Sequence, residues 1–243
     1  MEALAAGFWG FVGGASLLLG ALAGVYVGAS TRLIATVMAL GAGVLISSVA
    51  FDLMEEAYEM GGFDSSSLGL ILGALAFFFA DREVNRRGGQ RRKNPGSKQG
   101  VSGAAIAIGA LLDGIPESAA IGISLLGGGH ISAALVAAVF LSNIPEGLSS
   151  AAGMKSSERS TARILALWGG VTLVSALAAL LGYFFLDGAP DDVVASIQSF
   201  AAGAILTMLA STMMPEAYDE GGQFVGLVTV VGFLLSFVLS HLE

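Results

Sequence analysis

Apolar runs of about 20 residues, the length a helix needs to cross a bilayer, recur along nearly the whole of this 243-residue chain with only short polar breaks. Eight spans are expected, at 3–27, 33–54, 66–82, 101–126, 131–152, 163–186, 193–214 and 224–241. A soluble domain does not carry so much apolar sequence: 55% of the residues are hydrophobic, 12% are charged, and the mean hydropathy is +0.80. The runs are rich in Leu, Ala, Gly and Val and lack the alternation of barrel strands, so helices must satisfy the backbone polar groups. The expected fold is all-α, a polytopic membrane bundle forming one transmembrane domain over 1–243. The first span starts Met1-Glu2 without basic residues and runs too long for the core of a cleaved leader, so it is expected to be retained.

Basic residues give that bundle a direction. With the N-terminus outside, Arg32 falls in the first inner loop. Arg82, Arg86, Arg87, Arg91, Arg92, Lys93 and Lys98 fall in the second, and Lys155, Arg159 and Arg163 in the third, so all 11 lie on one side. Acids gather opposite, as Glu55, Glu56, Glu59 and Asp64 after the second span and Asp187, Asp191 and Asp192 after the sixth. Residues 83–100, broken by Gly88, Gly89, Pro95 and Gly96, read as a basic cytoplasmic loop drawn to anionic lipid headgroups. The expected setting is an integral protein of the plasma (inner) membrane with both termini outside. The lipid bilayer is then its surroundings and partner, no nucleic acid is expected, and self-association is expected to take the form of a homodimer. Cysteine is absent, which excludes disulfides and thiolate metal ligands.

The chain also repeats itself. Residues 41–62 and 201–222 align without gaps and share 9 of 22 positions, including Met54-x-Glu56-Ala57-Tyr58 against Met214-x-Glu216-Ala217-Tyr218, each followed by Gly-Gly. These segments end the second and seventh spans, five crossings apart, and so run in opposite directions. An inverted repeat follows, with helices 1–3 related to helices 6–8 around a central pair, helices 4 and 5. Inverted repeats with a midplane site in interrupted helices are the pattern of secondary transporters.

Two matched motifs lie in that central pair: Asp113-Gly114-Ile115-Pro116-Glu117-Ser118 and Ser142-Asn143-Ile144-Pro145-Glu146-Gly147. Pro116 and Pro145 lack an N–H, so the carbonyls of Leu112 and Leu141 lose their helical partners and a kink is expected at each. Asp113 and Glu117 share one helix face, and Asn143 and Glu146 share one on the neighbour. Three acids at mid-bilayer cost on the order of 8–10 kcal/mol even on the lenient insertion scale, and neither span holds a basic residue to offset them. Either a cation or protons must compensate. Asp113, Glu117, Asn143 and Glu146 are therefore expected to form an oxygen cage for a divalent cation. The competing reading makes the acids protonated structural hydrogen-bond donors beside ordinary proline kinks. Ser142, Asp52, Glu56 and Glu216 are weaker candidates: Asp52 and Glu56 line one face at the outer end of the second span, and Glu216 sits at the inner end of the seventh.

With these motifs the chain resembles the ZIP (Zrt/Irt-like) divalent metal transporters over nearly its whole length. Family members typically carry His-Asn-x-Pro-Glu-Gly in the fourth helix and a similar motif in the fifth, forming a binuclear centre for zinc, iron or related ions. Pro116 and Glu117 match the first motif, with Asp113 where the family has His and Gly114 where it has Asn. Asn143, Pro145, Glu146 and Gly147 match the second, with Ser142 at the usual His. Met214-Pro215-Glu216-Ala217 resembles the family's seventh-helix His-Glu-x-x-Pro-Glu segment, with Ser211 and Thr212 at the expected His and Glu. The resemblance implies a metal ion carried as substrate, with no cofactor. The loss of imidazole ligands favours harder ions such as Mn²⁺, Mg²⁺ or Ca²⁺, with Fe²⁺ between these and zinc, and one site rather than a full binuclear centre.

The expected function is secondary transport or facilitated passage of a divalent metal into the cytoplasm. The alternative is a diverged metal-binding or structural membrane protein without transport. No His-Glu-x-x-His, nucleophilic cysteine or Gly-x-Gly-Asp motif is present, so an enzyme is not expected.

Overall fold

The computed structural model describes residues 1–86, 103–126 and 131–241. The expected basic loop lies outside the described residues from Arg87 onward. The described chain is a helical membrane bundle, 90% helix and without strands, in which five helical runs are long and apolar enough to cross a membrane. Its elements are α1 (Glu2–Tyr26), α2 (Thr31–Ser48), α3 (Glu55–Val84), α4 (Gly103–Ile123), α5 (Ala133–Ser156), α6 (Thr161–Leu186), α7 (Asp191–Met208), α8 (Met214–Gly221) and α9 (Phe224–Ser240). Local sequence starts several of them. Ser30 and Ser132 cap α2 and α5 by accepting the amides of Leu33 at 3.3 Å and Leu135 at 3.0 Å. Asp191 and Asp192 occupy the first turn of α7, where the helix dipole favours acids.

Helical backbone is more continuous than the eight expected spans suggested. Among the described residues there are seven continuous helical runs, because the expected second and third spans join within Thr31–Val84 and the seventh extends through Asp191–Gly221. Each of these two long runs carries a π-turn and meets a positive-φ glycine. A π-helical turn, Val49–Met54, links α2 to α3, and another, Leu209–Met213, links α7 to α8. Gly62 then takes φ 70° inside α3 and Gly222 takes φ 69° at the end of α8, conformations that need glycine. The turns start 160 residues apart (49 to 209), and so do the glycines (62 to 222). No break of this kind occurs at the prolines: α4 runs through Pro116 and α5 through Pro145.

Packing sorts the helices into two groups. In one, α1 packs extensively on α5 and α6, and α6 on α4; in the other, α3 packs on α7 and α2 on α9. The groups meet chiefly where α2 lies on α5 and α4 on α7. Helices α1, α2 and α3 hardly touch one another, and α4 and α5 make slight mutual contact, each leaning on α1 or α6 instead. Glycine decides which faces meet. A Cβ on Gly43 would stand 2.0 Å from the Thr229 carbonyl oxygen, and one on Gly203 would stand 2.0 Å from that of Leu70. Backbones touch at such points, as membrane helices require in a solvent as apolar as their own side chains. Leu177, Phe185, Leu227 and Leu234 correspondingly face outward, while Ala39, Ala42, Ala138 and Ala202 fill the interior.

Candidate metal site

Asp113 and Glu117 stand one turn apart on α4 and are 2% and 1% exposed; Glu146 on α5 is 7% exposed. Burial of three acids inside a membrane bundle is thus a property of the fold. Ser142, Asn143 and Pro145 are buried beside Glu146, and Pro116 is half-buried. All of these residues belong to the group α1, α4, α5 and α6.

The α5 motif is gripped by its neighbours. A Cβ on Gly147 would come 2.1 Å from the Leu17 carbonyl oxygen, and one on Gly20 would come 2.2 Å from that of Ile144, so α1 lies directly on the motif. From the other side, a Cβ on Gly41 would be 2.9 Å from the Ser142 Cα, which brings α2 against the same turn. The Asn143 amide donates to the Gly13 carbonyl at 3.3 Å, fixing its orientation toward α1. Thr172 on α6 donates to the adjoining Gly14 carbonyl at 2.9 Å, so consecutive α1 carbonyls receive side chains from α5 and α6. Ser142 donates to the Val139 carbonyl of its own helix at 3.0 Å and holds the motif's start. A hydroxyl keeps acceptor lone pairs when it donates, so this bond leaves Ser142 able to face a cation.

Among the described residues, no three His, Cys, Asp or Glu side chains gather as a ready-made metal cluster. An ion at this level would meet carboxylate oxygens together with neutral ones such as Asn143 Oδ1, a donor set suited to hard or borderline divalent ions.

Asp52, Glu56 and Glu216 belong to the other group. Asp52, on the π-turn after α2, and Glu56, at the start of α3, line an open cleft of about 290 Å³ with Ser124, Ile131, Ser132 and Ser240. Ser240 donates to Asp52 Oδ1 at 2.6 Å and Ser132 to Asp52 Oδ2 at 3.4 Å. Gln198, 1% exposed on α7, donates to Glu56 Oε2 at 2.8 Å and to the carbonyls of Leu53 and Asp52 at 3.3 and 3.4 Å. Sequence reasoning passed over Gln198, Thr172 and Ser240; a lone amide inside the apolar span 193–214 was the available signal for the first. Glu216 is half-buried on α8, which packs on α2.

No family model matches the chain. It is similar to an Arabidopsis thaliana protein named "Putative zinc transporter At3g08650", with 25% identity over 184 residues. The match covers 74% of this chain and 29% of that protein, so the chain spans less than a third of its relative's length. The bundle supports a membrane protein, and the likeness to that protein is a distant one.

Proposed function

We propose that the chain is a ZIP-like carrier that passes a divalent metal cation across the membrane into the cytoplasm, with Asp113, Glu117, Asn143 and Glu146 binding the ion midway. The observation that carries this reading is the burial of three acids on two proline-bearing helices inside an apolar bundle, where an uncompensated charge is expensive. A cation offsets that charge on loading, and protons offset it when the ion leaves. The zinc transporter likeness supports the substrate class, and the donor set widens it to iron and manganese.

Alternating access fits the packing in a specific way. The acids ride on the group α1, α4, α5 and α6, and the seams α2 on α5 and α4 on α7 are less extensive than the packing of α1 on α5 or of α3 on α7. Sliding or rocking of one group against the other would expose the acids to each side in turn. The π-turns and glycines spaced by 160 residues, together with α3 on α7 matching α9 on α2, support an eight-span inverted-repeat layout for that motion. A second reading, a metal-binding or structural protein without flux, draws on the absence of a three-acid cluster among the described residues.

Reconstitution decides between them. Purified protein in liposomes should take up at least one of Zn²⁺, Fe²⁺, Mn²⁺, Cd²⁺, Co²⁺ and Mg²⁺ saturably, and Glu117→Ala and Glu146→Ala should each abolish the uptake. Metal binding without uptake by well-folded protein would establish the second reading.

A further inference from the structure

The cleft at Asp52 lies on the seam between the two helix groups. Phe51, Asp52, Glu56 and Ser240 form one wall, while Ser124, Ile131 and Ser132, at the ends of α4 and α5, form the other. Its carboxylates are not left to wander. The amide nitrogen of Gln198 sits among three acceptors, the Glu56 carboxylate and the Asp52 and Leu53 carbonyls, and three acceptors around one atom identify it as the donor end of the amide. Those carbonyls belong to a π-helical turn, where the ordinary i to i−4 ladder is displaced. One buried side chain on α7 therefore holds both the turn that bears Asp52 and the carboxylate of Glu56.

We propose that Gln198 is a positioning residue for cation entry: it fixes Asp52 and Glu56 at the mouth of the seam so that their charges act together on an arriving cation. The proposal rests on the transport reading for its purpose. Its geometry is separable from flux. The group Gln198 supplies is a neutral donor, so replacing it with Leu deletes no ionisable group from the cleft; any loss of negative field there comes from carboxylates that lose the hydrogen bond holding them in place and ionised. A space-filling role predicts no such loss.

The cysteine-free chain makes the test direct. Ile131→Cys places a single thiol in the cleft wall, and the rates of its modification by cationic and anionic thiosulfonate reagents give a ratio that reports the local field. In the Ile131→Cys background, Glu56→Gln should lower that ratio by about threefold, the effect of one nearby charge at the protein surface. Gln198→Leu should lower it by a similar factor with no ionisable group deleted. In liposomes, Gln198→Leu should raise the half-saturation concentration about tenfold, as loss of hydrogen bonds to a charged partner implies, while maximal uptake is kept. An unchanged reagent ratio in folded Gln198→Leu protein would overturn the proposal. A changed ratio in a protein without uptake would uphold the positioning role and sink the transport reading instead.

Discussion

At the scale of single residues, the chemistry turns on which atoms face the ion. Asp113 stands where the resembled family has an imidazole, so Asp113→His should shift preference toward zinc over Mn²⁺ by about tenfold, read from competition uptake in liposomes. An unchanged ranking would remove Asp113 from the ion's ligands. Glu56→Gln keeps an acceptor for Gln198, so the cleft should hold its shape while the half-saturation concentration rises; unaltered kinetics would return Glu56 to a solvated helix end. The buried acids were legible because Asp, Glu and Pro have no cheap place in an apolar span. Gln198 was not: an amide among Ser, Ala and Ile residues carries no charge, and its meaning comes from carbonyls 145 and 146 residues away along the chain.

At the scale of elements, glycine contacts set how closely helices approach. Gly43→Ala and Gly203→Ala each push a methyl into a facing carbonyl, and each should destabilise the protein by about 1–3 kcal/mol in detergent unfolding. Gly169 has nothing within 4 Å of its missing Cβ, so Gly169→Ala should be neutral or stabilise by up to ~1 kcal/mol. The contrast checks that backbone contact, rather than glycine content, holds the bundle. The apolar helical runs were readable, since hydrocarbon length and hydropathy dictate them, but the start of α3 at Glu55 was not. The π-turns and the continuity of Thr31–Val84 were not, because an extra residue in a helical turn leaves the apolar count unchanged. The Met-x-Glu-Ala-Tyr repeat did mark where both turns end.

At the scale of the whole molecule, charge asymmetry predicts orientation. Single cysteines at Ser157 and Gly188, in the connections before α6 and after it, should label from opposite faces, Ser157 only from the cytoplasm; the reverse pattern would invert the bundle. The helical membrane class was legible from composition alone. The partners of each helix were not, because an alphabet of Ala, Gly, Leu and Val looks alike on every face, and only Cβ-scale fit chooses among them. That fit pairs early helices with late ones: α1 waits for α5 and α6, α2 for α9, and α3 for α7. During synthesis, α1, α2 and α3 therefore enter the lipid with glycine-lined faces and no mate until the helices that cover them arrive. A membrane chaperone that shields small-residue faces would then be needed in that interval.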